Sequence, residues 1–143
     1  MRDIMRKEYK AYKKVGKLKK PIGELLQLDF PEFVYASPGV IKHIKKRHGR
    51  QLTKKIKDNI IEIVEDIIKE PDYAGISYKD RKKSAELIKK IDNIFLLLGL
   101  DIDCIDNYIY VATLYPITEC KVKAKLFNNK LIVLCGDDKK DNM

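Results

Sequence analysis

A chain of 143 residues that is 45% hydrophobic is one domain's worth, long enough to bury a core without a disulfide or metal staple. With 36% charged residues and no apolar run of about eighteen, a membrane span is excluded, and the opening Met-Arg-Asp-Ile-Met-Arg-Lys-Glu lacks the apolar heart of a signal peptide, so a cytoplasmic location is expected. The net charge of +9 suits a polyanion-binding surface, although a sequence this rich in Lys, Ile and Asn also fits an AT-rich coding bias.

Distribution says more than the total. Residues 1–20 carry nine cations against Asp3 and Glu8, and residues 38–57 carry eight cations against none. Residues 58–72 then carry Asp58, Glu62, Glu65, Asp66, Glu70 and Asp72 against Lys69 alone.

In chain order, residues 2–15 place Met5, Tyr9 and Tyr12 on one helical face, and a basic amphipathic helix and a lysine-rich arm fit equally well. Residues 1–20 are therefore set apart as a basic N-terminal helix or arm, 21–136 as a single domain and 137–143 as an acidic, disordered tail. Lys17 to Pro21 reads as a linker, 22–30 as a turn of helix and loop, and Phe33 to Ala36 as a short strand. A helix over 38–48 follows, with Ser37 as its N-cap, Pro38 in the first position and Gly49 as its stop. Its stripe is Val40, Ile41 and Ile44, extended by His48, while Lys42, Lys45 and Lys46 point away and His43 shares a flank with Arg47.

The strongest helical period runs from Lys54 to Lys69, where isoleucines recur at spacings of three, four and seven between Thr53 as cap and Pro71 as stop. Beyond Asp72 the period becomes that of strands. Ala74 to Tyr78 and Ala85 to Ile91 flank a charged turn over 79–83, and Asp92-Asn93 is a tight-turn signal. The apolar run Ile94 to Ile102 predicts a central strand covered on both faces. Tyr108 to Tyr115 alternates, which would put Tyr108, Tyr110, Ala112 and Leu114 on one face and Ile109, Val111, Thr113 and Tyr115 on the other, with Pro116 closing the strand. Thr118 caps a basic helix through Lys125, and Leu131 to Cys135 is a last strand or docked tail. Helices first and an antiparallel meander after them make the expected class α+β.

Cys104, Cys120 and Cys135 are scattered and form no CxxC, so free thiols buried as small apolar groups are expected, and neither histidine has a cysteine at zinc-ligand spacing. Asp101 and Asp103 read as solvated strand-end charges. No GxSxG, phosphate loop or HExxH is present. The helix over 38–48 does hold the residue types that cut RNA without a metal: histidines for the proton transfers and cations for the charge growing on phosphorus. His43 and His48 lie five residues apart, about 140° around a helix of about 100° per residue, so one phosphate cannot meet both on a regular helix. His48, within the apolar stripe, suits a packed histidine; for His43, chemistry and plain exposure are level on spacing alone.

Two motifs carry a resemblance. Val34-Tyr-Ala-Ser-Pro-Gly-Val-Ile-Lys-His-Ile-Lys-Lys-Arg-His48, a long helix ending in Lys-Glu-Pro-Asp72, a lysine-bearing strand at Leu87 to Ile91, an apolar strand and Val111-Ala-Thr-Leu-Tyr-Pro116 together resemble the phage-associated nuclease-like domains of the barnase, EndoU, colicin and RelE superfamily, and are most similar to the group abbreviated PBECR. The resemblance spans about residues 20–127. It implies N-terminal helices packed on a four-stranded antiparallel sheet, metal-independent chemistry without a cofactor, and RNA bound on the sheet. Its functional positions fall on His43, His48, Thr113 and Tyr115.

The reading these expectations compose is a small endoribonuclease, a toxin or phage-related effector acting on tRNA or ribosome-associated RNA by attack of the 2′-OH on its phosphate. His43 would be the general base or acid, Arg47 the phosphate-stabilising cation, and Thr113 with Tyr115 the orienting pair. Lys42, Lys46, Arg50, Lys54 and Lys90 would hold RNA, with Lys89 an equal candidate to Lys90. An acidic antitoxin or immunity protein would be the partner of such a toxin. The alternatives are a non-catalytic basic RNA- or DNA-binding module and a structural or inhibitor-binding protein whose basic face meets an acidic partner.

Overall fold

The structure is a computed structural model that describes residues 13–28, 32–79 and 82–134. In chain order its elements are β1 (Lys13–Lys17), α1 (Lys20–Leu26), β2 (Phe33–Ala36), α2 (Pro38–His48), α3 (Lys54–Asp58), α4 (Ile60–Lys69), β3 (Tyr73–Lys79), β4 (Lys82–Ile91), β5 (Ile94–Asp103), β6 (Tyr108–Ile117), α5 (Glu119–Phe127) and β7 (Ile132–Val133). Residues 1–12, which hold most of the expected N-terminal helix or arm, and the tail over 137–143 lie outside the described residues. So do 80–81 within the expected charged turn and Cys135. Of the thiols expected to be buried, Cys104 and Cys120 are exposed, one in the turn after β5 and the other in the first turn of α5.

The α+β class holds, but the four-stranded antiparallel sheet does not. One mixed sheet of seven strands runs in the order β1-β2-β6-β5-β4-β3-β7. Strands β3 to β6 are the antiparallel meander that the sequence pattern predicted. To it are added β2, parallel to β6, then β1 antiparallel on β2, and β7 antiparallel on β3. The extra strands are short or poor in apolar residues, which is why periodicity missed their pairing. In β1 the buried Val15 stands among lysines, and Gly16, at φ 156°, presses on Ile68, whose Cγ2 lies 2.9 Å from where a Cβ would be. A side chain there would collide with the helix behind it.

Helices α1 to α4 cover one face. Ile22, Leu26, Ile44, Ile56, Ile67 and Ile68 pack there with Leu87, Leu96 and Leu98 from the sheet. The single helix expected over 54–69 breaks at Asn59 (φ −130°, ψ 36°), whose side-chain Nδ2 donates to the Lys55 carbonyl at 2.7 Å. An amide that captures a backbone carbonyl competes with the helical ladder, so two helices replace one.

The opposite face is covered in part by α5, where Val122 packs with Ile88, Leu97 and Leu131 and is joined by Tyr115 and Ile117. Leu96, Leu97 and Leu98 are thus sealed from both sides at 0–1% exposure, as the apolar run predicted. Further along β5, Gly99, Asp101 and Asp103 on this second face stay half-exposed.

One irregularity decides which residues share that open face. The ladder pairs Gly99 with Thr113 but Leu100 with Val111, leaving Ala112 as a bulge. The strict alternation expected for β6 is therefore wrong across Ala112. Ile109, Val111 and Leu114 belong to the helix-covered core, while Tyr108, Tyr110, Thr113 and Tyr115 fall together on the other side.

Candidate active site on the open sheet face

Helix α2 brings an imidazole to this face because its caps and stripe leave it one way to pack. Ser37 Oγ accepts from the Val40 amide at 3.1 Å at its start, Ile44 is fully buried, and Val40 and Ile41 lean on the same core. The helix packs against β6, whose pairing with β2 reaches only Tyr110. His48, in the last turn, therefore lies against the second half of β6. Its Nε2 is 3.5 Å from Thr113 Oγ1, and its ring centroid is 5.3 Å from that of Tyr115 at an interplanar angle of 31°.

The other ring nitrogen is held as well. His48 Nδ1 lies 3.2 Å from Gln51 Oε1 in the turn after α2. An amide oxygen can only accept, so Nδ1 is the donor in this pair and Nε2 is the ring nitrogen that faces the threonine hydroxyl. The histidine is thereby oriented with its exchangeable position facing the open sheet.

Three further groups stand beside this pair, and the sequence pattern did not single them out. Glu86 on β4 is in register with Gly99, and Gly99 with Thr113, so the three share one row of the open face. A Cβ at Gly99 would sit 3.0 Å from Thr113 Cγ2, so the row has a carboxylate at one end, a hydroxyl at the other and a floor without a side chain between. At roughly 4.8 Å per strand, about 10 Å separates the two backbones, a span that the side chains narrow. Lys125 of α5 pairs with Glu86 at 3.0 Å, both half-buried. The Tyr115 phenol is held above its ordinary pKa of 10.0, first by burial and then by the Glu86 charge, with Lys125 opposing, so at neutral pH it is a donor. A cleft of about 620 Å³ opens beyond Glu86 and Lys125, lined also by Gly75, Ser84 and Ile76. A lone Gly inside the apolar run Ile94 to Ile102 was the signal available in the sequence, since such a glycine often marks a close approach.

The other expected site residues divide as follows. His43 and Arg47 are exposed on α2, and His43 makes no hydrogen bond or ring contact among the described residues. The imidazole that stands beside Thr113 is that of His48. Lys42, Lys46, Arg50 and Lys54 are exposed along α2 and at the start of α3. Lys90 lies on the site's face, its Nζ 5.5 Å above the Phe95 ring, whereas Lys89 donates to the Glu70 carbonyl at 2.8 Å at the end of α4. Among the described residues no three of His, Cys, Asp and Glu gather as a metal-binding group, and no helix is long and apolar enough to cross a membrane.

The fold is thus a small α+β domain in which an imidazole, a hydroxyl and a phenol meet on an open sheet face, next to a helix with a cationic outer surface. The chain belongs to the family described as phage-Barnase-EndoU-ColicinE5/D-RelE like nuclease3 (PBECR3), whose model matches residues 13–124. No curated protein and no solved structure matches it. Membership carries a nuclease-type function at a coarse level and a nucleic acid as the class of substrate.

Proposed function

We propose that the protein is a metal-independent endoribonuclease in which His48, rather than His43, is the catalytic imidazole. The observation that carries this reading is the approach of His48 Nε2 to Thr113 Oγ1 at 3.5 Å, next to the Tyr115 ring, with Nδ1 fixed by Gln51. That distance is at the outer limit of a hydrogen bond, as is usual for catalytic groups before substrate draws them together.

A scissile phosphate over Gly99 would lie between Glu86 and His48. The Glu86 carboxylate takes the proton of the ribose 2′-OH, and the 2′-oxygen attacks phosphorus. As the bond from phosphorus to the 5′-oxygen breaks, protonated His48 delivers its Nε2 proton to that oxygen. The products are a 2′,3′-cyclic phosphate and a 5′-hydroxyl; Glu86 has gained one proton and His48 has given one up. Thr113 and the protonated Tyr115 phenol donate to the non-bridging oxygens, and Lys125 offsets the extra negative charge. Arg47, Lys42, Lys46, Arg50 and Lys54 hold the backbone to one side and Lys90 to the other, with His43 among the backbone contacts of α2.

In this reading the biological role is that of a toxin or phage-related effector acting on tRNA or ribosome-associated RNA. An acidic antitoxin or immunity protein is the partner that the cationic face of α2 would fit. The test is cleavage of mixed RNA in excess EDTA by the wild type, His43→Ala and His48→Ala. Loss of activity in His48→Ala alone supports the assignment. RNA left intact by the wild type leaves a non-catalytic nucleic-acid-binding module.

A further inference from the structure

The open face extends past the bulge at Ala112 into a patch of rings. Tyr35 of β2 and Tyr108 of β6 meet edge to face with centroids 6.3 Å apart, and Tyr108 and Tyr110 lie 5.4 Å apart at 35°. Phe33 stands next to Tyr35 on the same side of β2, because Val34 and Ala36 are buried on the other. Over the Phe33 ring lie two cations of the edge strand: Lys14 Nζ is 3.9 Å and Lys17 Nζ 5.7 Å from its centroid. All four rings are half-buried, and both lysines are exposed.

We infer that Tyr35, Tyr108 and Tyr110, bordered by Lys14 and Lys17 over Phe33, form a stacking platform that takes unpaired bases of an RNA strand and leads it into the His48 and Thr113 cluster. The inference rests on the ribonuclease reading for the direction of the strand, but its binding step stands apart from cleavage. Three arguments select an unpaired strand as the occupant. Aromatic faces on a sheet stack bases only when those bases are not paired within a duplex. Lys14 and Lys17, seated over Phe33 at the rim, supply the phosphate contacts that a stacked strand needs on one side, and they leave the three tyrosine rings as the floor. The patch is also continuous with the cluster: Tyr110 and Thr113 share the face of β6, roughly 10 Å apart along the strand. A double helix would meet the lysines and the outer face of α2 without reaching the rings.

The test uses wild-type protein and a fluorescein-labelled oligouridine with 2′-O-methyl riboses, which lacks the attacking hydroxyl and stays whole whatever the catalytic residues do. Fluorescence anisotropy gives its Kd alone and after annealing to oligoadenosine, in EDTA at fixed salt. Tyr35→Leu and Tyr110→Leu are each expected to weaken binding of the single strand by about 5- to 150-fold, the range for loss of one stacked base. Duplex binding should change less than about twofold, because it is driven by phosphate contacts. Tyr35→Phe and Tyr110→Phe, which keep the ring, should bind the single strand as the wild type does. Equal losses on both forms of RNA, or single-strand binding untouched by leucine, would overturn the platform. Tyrosine-dependent binding in a protein that cleaves no RNA would keep the platform and remove the nuclease reading. Cleavage with no such dependence would do the reverse.

Discussion

The substitution that separates the two histidines is His48→Ala against His43→Ala. His48 is half-buried, and its truncation removes the ring contact with Tyr115 and the bond to Gln51. At about 0.5–1.5 kcal/mol for an aromatic pair and about the same for a hydrogen bond, the variant should lose roughly 1–3 kcal/mol of stability. That is less than the roughly 5–15 kcal/mol of a typical domain, so the variant stays folded, and a circular-dichroism melt against the wild type checks it. The catalytic cost is of another order. Removing a positioned acid slows the chemical step by about 10²- to 10⁴-fold, or roughly 2.7–5.5 kcal/mol of barrier. His43, exposed and without a described partner, should change the rate by less than about threefold when replaced. The assay is single-turnover cleavage of end-labelled RNA in EDTA, with the cyclic phosphate product identified by a 3′ end that resists labelling until acid opens the ring and phosphatase removes the phosphate. A folded His48→Ala that cuts at the wild-type rate would refute the mechanism, and so would inactivation by His43→Ala with His48→Ala active.

Gly99→Val should abolish cleavage while the protein still binds RNA, because branched methyls would fill the floor between Glu86 and Thr113 where even a Cβ lies 3.0 Å from Thr113 Cγ2; parallel rate and anisotropy measurements check it. Tyr115→Phe bears on alkaline stability. The folded-state pKa of Tyr115 is raised above 10.0, so the stability it contributes is present below pH 10.0 and is lost as pH rises through the folded value. The phenylalanine variant should therefore lose less stability than the wild type in urea melts taken on the alkaline side of pH 10.0, and identical pH profiles would contradict it. Replacing Lys42, Lys46 and Arg50 by Ala should weaken binding to all single-stranded sequences alike and reduce the slope of log K on log salt by about 0.7 for each phosphate that the variant no longer neutralises.

The parts of the molecule legible from the chain are those whose cause is local. Ser37 caps α2, Asp92 and Asn93 adopt φ 51° and 67° in the turn that joins β4 to β5, Thr118 caps α5, and the run from Leu96 to Leu98 is sealed. Each follows from the stereochemistry or hydrophobicity of a few adjacent residues. The break at Asn59 was hidden because the isoleucine period runs through it, and one side-chain amide sufficed to end the first helix.

What the chain by itself determined is a basic α+β domain with an antiparallel meander, a capped cationic helix and two histidines that could not serve one phosphate together. The apolar stripe already marked His48 as the histidine that packs; that its ring meets Thr113 on the open face was decided only by tertiary packing, since it depends on α2 lying against the half of β6 that β2 leaves unpaired. The Asp92-Asn93 turn likewise sets Glu86 opposite Gly99, thirteen residues on, but the place of Thr113 beside Gly99 needed the bulge at Ala112. A tight turn fixes the register of the two strands it joins, whereas a bulge answers to contacts across the whole sheet that no local pattern carries.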